Sequence, residues 1–234
     1  MSYGISSNFS VKRGALLAVV VVFLAACDTS AFEAQAAGAA PLMRYQADSA
    51  RHRVWALTPD GASVHEAASP DSVDIALPGW QWVGAPYACL PALALAPDGA
   101  ALVTSNIVPV VWRIDPVTLA VTVNQLKLDA DTDKDVGFSA LVYSPRHAAY
   151  FAMSDVHGSL WRIDAQLKNA RKMKLTTALP KACALVADAR SNSGGATASD
   201  PLCLRGVRRS WTIQVARDLH AADVRSAPCM PATQ

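Results

Sequence analysis

Short apolar runs with period-two alternation recur along the chain, separated by Pro, Gly and Asp, and this predicts many short strands joined by tight turns. In Val110-Val111-Trp112-Arg113-Ile114, Trp112 and Ile114 fall on one face and Arg113 on the other, and Asp115-Pro116 ends the run. The same Trp-Arg-Ile-Asp returns 49 residues later as Trp161-Arg162-Ile163-Asp164. A weaker copy, Trp55-Ala56-Leu57-Thr58, lies 57 residues before the first.

Aligned on the tryptophans, two units share one internal order. The first reads Leu93–Ala96 as a strand, Pro97-Asp98-Gly99 as a turn, then strands at Ala101–Thr104, Val110–Ile114 and Ala120–Val123. The second reads Ala140–Tyr143, the turn at Ser144-Pro145, Ala149–Ala152, Ser159–Ile163 and a last strand from Ala170 to Leu175. Before them, residues 42–88 form a looser copy, with strands at Arg53–Leu57, Ala62–Glu66, Val73–Leu77 and Trp80–Val83. Four short strands per repeat of about 50 residues is the make-up of a propeller blade, with tryptophans packing between blades. The fold class expected is therefore all-β, with propeller-like repeats over residues 42–176 and a cysteine-containing C-terminal extension over 177–234 that completes the domain or packs on it. Two to three repeats do not close a ring of four to eight blades. A minimal four-bladed ring, a partial ring completed by a partner, and an open stack of sheets all remain open.

Ahead of this region, Lys12-Arg13 precedes a 13-residue apolar run, Gly14 to Ala26, too short for a comfortable membrane span. Residues 1–26 read as a signal peptide. The run ends in Leu24-Ala25-Ala26-Cys27, which resembles the lipobox of bacterial lipoproteins. That resemblance implies acylation of Cys27 (palmitate-type chains), a membrane anchor, and a place on the periplasmic side of the cell envelope. Asp28 resembles the enterobacterial signal for retention at the inner membrane, with the outer membrane as the alternative. Residues 27–41 are Ala-rich and read as a flexible tether, spanning about 20 Å by flexible-chain scaling.

Charge narrows the function classes. The whole chain of 234 residues has 21 basic and 19 acidic residues, and without the leader the two balance. A nucleic-acid binder needs a positive surplus, so that class is set aside. Beyond Cys27 stand Cys89, Cys183, Cys203 and Cys229, with no CxxC among them. In an oxidising compartment they are disulfide candidates. Cys183 and Cys203 flank the Ser/Gly-rich stretch 191–201, which suggests a bridge across its base, and Cys89 is one candidate partner for Cys229.

Candidate chemistry is sparse. Asp129, Asp131, Asp133 and Asp135 alternate in a spacing that resembles the start of an EF-hand loop and can converge on Ca²⁺. Lys134 stands where the turn glycine belongs and Ala140 where the bidentate glutamate belongs, so the competing reading is a solvated acidic loop between repeats. Trp80 and Trp82 share a face beside Pro78-Gly79 and offer an aromatic platform for a ligand or partner, against burial in a sheet. Asp155 and His157 can form an acid/base pair or simply a turn. His65-Glu66 lacks the second histidine of a zinc-protease helix, and no nucleophile elbow, phosphate loop or dinucleotide fingerprint occurs. From Leu204 onward, five arginines face two aspartates, a segment suited to anionic headgroups or to solvent.

The Trp-Arg-Ile-Asp unit resembles the strand-plus-turn of many propeller blades, in families that include scaffolds, strictosidine-synthase-like and lactonase-like enzymes and quinoprotein-type proteins. The reading is a membrane-anchored periplasmic lipoprotein whose propeller-like domain binds an envelope protein or itself, as scaffold or accessory subunit. The alternatives are a metal-dependent hydrolase or lactonase-like enzyme, and a degenerate propeller without activity of its own.

Overall fold

The computed structural model describes residues 44–81, 89–129, 136–180, 183–187, 201–205, 210–215 and 219–226. The chain divides into Met1–Leu42 and Met43–Gln234. The leader and tether, including Cys27 and Asp28, lie outside the described residues.

The second unit is built from four sheets, each with four consecutive antiparallel strands and two of them with a fifth, parallel strand, the arrangement of a propeller-like fold. The first holds β1 (Arg44–Asp48), β2 (Arg53–Thr58), β3 (Gly61–Glu66) and β4 (Ser72–Ile75). The second holds β5 (Leu93–Leu95), β6 (Ala101–Thr104), β7 (Val110–Ile114) and β8 (Val121–Gln125). A two-residue strand, β9 (Lys127–Leu128), follows. The third sheet holds β10 (Ala140–Ser144), β11 (Ala149–Ser154), β12 (Ser159–Asp164) and β13 (Asn169–Lys172), followed by β14 (Lys174–Leu175). The fourth holds β15 (Ala184–Ala187), β16 (Pro201–Arg205), β17 (Ser210–Val215) and β18 (Ala221–Ser226). A 3₁₀ turn at Ser49–Arg51 is the sole helical element among the described residues, and none of their helices is long and apolar enough to cross a membrane.

Three apolar cores hold the sheets face to face. Trp55, Leu57, Val103, Trp112 and Ile114 fill the first interface, and Leu102, Val111, Phe138, Trp161 and Ile163 the second. Phe151, Met153, Leu160, Leu204 and Ile213 fill the third. Alternation does the sorting: Leu102 and Val103 are neighbours on β6 and serve opposite interfaces. The two repeated tryptophans are core, Trp112 at 3% exposure and Trp161 at 0%. Each buried indole contributes a few kcal/mol by the area it removes from water, on the order of 25 cal/mol per Å². Among the described residues no such core joins the fourth sheet to the first.

The aspartate of the repeated motif closes its strand. Asp115 Oδ1 accepts the backbone N–H groups of Val117 and Thr118, and Asp164 accepts those of Lys168 and Asn169. Each following turn then carries a leucine at positive φ, Leu119 at 59° and Leu167 at 56°, and Leu219 at 59° occupies the same place before β18. Left-handed backbone is costly for leucine. It is held because Leu119, Leu167 and Leu219 each pack into the core of the interface beside their turn.

The chain also ties one sheet to the next. On leaving the second sheet, β9 lies parallel to β13, the outer strand of the third, with Lys127 N donating to Lys168 O at 2.8 Å and Asp129 N to Ala170 O at 3.1 Å. On leaving the third, β14 lies along β18 in the same way, through Lys174 N to His220 O and Thr176 N to Ala222 O. The expected strand Ala170–Leu175 is therefore two strands in two sheets, broken at Met173. Leaving the first sheet, the chain reaches Pro78, which has no N–H to give such a ladder. Its carbonyl instead accepts the Trp112 Nε1–H at 2.8 Å.

Two expectations for the first repeat are corrected. Trp55 lies on the second strand of its sheet and Trp112 on the third strand of its own, so the 57-residue copy is not an equivalent position. The sheet begins earlier than expected, at Arg44, because the first strand is largely polar. Trp80 and Gln81 are not in a strand; Trp82 and Val83 lie outside the described residues.

Candidate functional site

Strands β1, β5, β10 and β15 open their sheets and stand around a common axis. Arg44, the first residue of β1, marks one end of it. Its Nη2 donates to Leu90 O (3.1 Å), Ser139 O (2.9 Å) and Cys183 O (2.7 Å). Those carbonyls lie just ahead of β5, β10 and β15. One guanidinium thus gathers the starts of the other three sheets, and burial pushes its pKa down to about 10. Beside it the Cys89–Cys183 disulfide joins the approaches to the second and fourth sheets, with Cα atoms 5.1 Å apart. Arg44 and the disulfide form a floor.

Above the floor a cavity of about 470 Å³ touches all four opening strands, through Gln46, Leu95, Val142, Tyr143, Val186 and others. Its volume lies in the range of small-molecule sites, roughly 300–1,000 Å³. Tyr143 is also a wall of a second recess, of about 200 Å³, between the second and third sheets. That recess holds Asp98, Arg113, Tyr143 and Tyr150.

The turns at this mouth explain its polar groups. Ala96 and Ala100 close the Pro97-Asp98-Gly99 turn, with Gly99 at φ +84°. Arg51 lies flat on Gly99, where a methyl group would collide with its guanidinium, and its Nη2 donates to Asp98 O at 2.7 Å. Arg113 Nη2 donates to the Asp98 carboxylate. Burial acts to raise the Asp98 pKa, but the Ala100 N–H and the Arg113 guanidinium outweigh it and hold the carboxyl below its ordinary value. Tyr150 packs edge-on to Tyr143 at 5.0 Å. Burial, with Asp98 and Tyr143 adding to it, pushes its hydroxyl up to about 12, so it stays protonated and able to donate.

No protein-family profile matches the chain, and no curated protein matches it in sequence. Solved structures do match in fold. Hydrazine synthase from Kuenenia stuttgartiensis superposes with a TM-score of 0.51 at 11% identity, over 75% of this chain and 46% of that one. Virginiamycin B lyase from Staphylococcus aureus (TM-score 0.44, 12% identity) aligns over 80% of this chain and 67% of its own. The major Malassezia sympodialis allergen Mala s 1 (0.49, 13%) aligns over 80% and 63%. The chain spans about half to two thirds of the length of these structures, and at such identities the likeness concerns the fold.

The residues singled out from the sequence fall elsewhere. Trp80 sits between the first two sheets, edge-on to Trp112 at 5.3 Å, with Nε1 donating to Pro59 O at 3.0 Å. It is built into an interface and is not an open platform; Trp82 lies outside the described residues. Asp129 belongs to the β9 tie, where Oδ1 accepts the Lys172 N–H at 2.7 Å and Oδ2 lies 3.6 Å from Arg171 Nε. Asp131, Asp133 and Asp135 lie outside the described residues, among which no cluster of three or more His, Cys, Asp or Glu side chains is placed to hold a metal. Asp155 and His157 occupy the turn between β11 and β12, closed by Gly158 N–H to Asp155 O at 3.4 Å. The disulfide pairs Cys89 with Cys183, which corrects the expected Cys183–Cys203 bridge and rules out the suggested Cys89–Cys229 pair. The span between its cysteines is 94 residues, so spacing along the chain gave no hint of it.

Sequence reasoning missed Arg44, Gln46, Arg51 and Tyr150. The first three lie on a mostly polar stretch without apolar alternation. Tyr150 stood in a strand read only as apolar. The one available signal was Arg113, placed opposite Trp112 by alternation and therefore free to reach the mouth.

Proposed function

We propose that this is a membrane-tethered lipoprotein of the cell envelope, held on the periplasmic side by lipid on Cys27, whose propeller-like domain is a binding subunit for another envelope protein. The Leu24-Ala25-Ala26-Cys27 sequence supports the anchor, Asp28 favours the inner membrane, and residues 27–41 supply the tether.

The observation that supports the binding role is the solvent exposure of apolar side chains on one face of the first sheet. Its face toward the second sheet is buried through Trp55 and Leu57, while the opposite face leaves Tyr45 65% and Val54 39% exposed. A sheet face with apolar side chains is normally covered by another layer. No apolar core joins the first sheet to the fourth among the described residues, and the proposed partner supplies that layer.

The test is photo-crosslinking in the native membrane. A crosslinking amino acid at Tyr45 is expected to capture a single envelope protein in stoichiometric yield. The same group at Val117, an 83% exposed position on the turn after β7, serves as the control and captures none. Equal labelling at both positions, or none at Tyr45, sinks the binding role. Cys27→Ser is expected to move the protein from the membrane to the soluble periplasmic fraction, and membrane retention in that variant sinks the anchor.

A further inference from the structure

We infer that the axial cavity binds an amphipathic anion, its apolar body between the opening strands and its carboxylate- or phosphate-type head at Arg113, beside Tyr143 and Tyr150. This stands apart from the anchor and the protein partner, and uses a different surface.

Three features converge. The cavity has two different ends: Arg44 and the Cys89–Cys183 disulfide stand where the opening strands begin, and the Asp98 and Arg113 side chains lie toward the other. Its wall is mostly aliphatic, with Leu95, Val142 and Val186 facing Gln46 and the Tyr143 ring, which suits a short alkyl or terpenoid body. At the mouth, donors remain available. Arg51 Nη1 lies 3.5 Å from Asp48 Oδ2 and its Nη2 donates to Asp98 O, while Arg113 Nη2 donates to the Asp98 carboxylate. Arg113 has N–H groups left over after that pair. The hydroxyls of Tyr143 and Tyr150 make no hydrogen bond among the described residues. Arg146, exposed on the turn between β10 and β11, adds a further positive charge at the same end. Donors left over beside an apolar hollow are the complement of an anionic head on an apolar tail.

Tyr143 lines both recesses, and the proposed ligand lies across its ring. Asp98 has a defined part in this. It orders Arg113 and also repels an incoming anion, so it trades affinity for a preformed guanidinium.

The probe is dodecanoate below its micelle concentration, titrated into the full chain and followed through an isotope-labelled carboxyl group by NMR. One equivalent is expected to bind. Dodecanol, with the same tail and a neutral head, is expected to bind about tenfold more weakly, the worth of one charge-assisted hydrogen bond. Arg113→Gln should erase that difference while leaving dodecanol binding as it was. Val142→Trp should block both ligands. Asp98→Asn should tighten dodecanoate, a gain that misfolding cannot produce. Equal binding of acid and alcohol, or saturable binding that survives Val142→Trp, overturns the inference. A second arm separates the sources of the ligand. Vesicles of anionic lipid that compete dodecanoate off the chain identify a membrane lipid as the head group's owner; vesicles that leave it bound identify a free amphiphile. Binding to anionic vesicles without any binding of dodecanoate reduces the mouth to a surface charge effect and also overturns it.

Discussion

Arg44 Nη2 donates to the carbonyl of Cys183 at 2.7 Å, joining the first residue of the first sheet to the residue just before the fourth. The same nitrogen reaches Leu90 and Ser139. Arg44→Met removes the donor and leaves three carbonyls facing an apolar side chain. A loss of about 3 kcal/mol is expected, since charged hydrogen bonds are worth about 1.5–3 kcal/mol each and the exposed carbonyls recover part of it from water. Urea denaturation measures it, and an unchanged midpoint would mean that water serves these carbonyls equally well.

The Cys89–Cys183 bond encloses a loop of 94 residues. By chain entropy a closed loop of that size stabilises the fold by about 4–5 kcal/mol. Cys89→Ala with Cys183→Ala should lower stability by that order, and added reductant should then have no further effect. Peptide mapping without reduction checks the pairing directly.

Trp161 and Trp80 should separate in a scan. Trp161 is fully buried against Phe138, with rings 6.2 Å apart, and Trp161→Ala is expected to cost about 3–5 kcal/mol. Trp80 is half-buried, so Trp80→Ala should cost clearly less, about 1–2 kcal/mol for its ring contact and its bond to Pro59. Equal costs would show that Trp80 anchors more than the described contacts.

Asp129→Ala removes the acceptor for Lys172 N–H and is expected to cost about 1 kcal/mol in calcium-free buffer. A thermal melt with and without chelator decides whether that is all. A loss that appears only when calcium is present would return the Asp129–Asp135 stretch to the role of a cation loop.

Tyr150 carries a pH signature. Its folded pKa is raised from 10.0 to about 12, so between those values the unfolded chain gives up a proton that the folded chain keeps. Stability from this group is complete below pH 10 and is lost as pH rises toward 12. Tyr150→Phe should flatten that part of the stability profile. In ultraviolet titration the last tyrosinate to form should vanish in the same variant.

What was legible in the sequence, and what was not, follows from burial. The second and third sheets were legible except at Ala170–Leu175, because both of their faces pack on neighbours, so Trp112, Ile114, Trp161 and Ile163 stand out against short turns. The first sheet packs on one face only, and its opening strand, Arg44-Tyr45-Gln46-Ala47-Asp48, has no apolar stripe to read. The fourth sheet was legible only at Trp211–Val215, because a long polar stretch separates β15 from β16. The axial site was hidden for a further reason. Arg44, Arg51, Asp98 and Tyr150 come from three different sheets and meet only when those sheets gather round one axis, so no local spacing announces them. Leucine at positive φ ahead of the last consecutive strand in three sheets is also invisible in sequence, since a bulky side chain is not expected there.

The cross-link on the floor has a consequence for biogenesis. A chain exported N-terminus first delivers its thiols to the oxidising side in the order 27, 89, 183, 203, 229. With Cys27 acylated as proposed, the first two free thiols to arrive are Cys89 and Cys183, the native pair. On that proposal, an oxidase that joins cysteines as they emerge makes the Cys89–Cys183 bond first, without a shuffling isomerase.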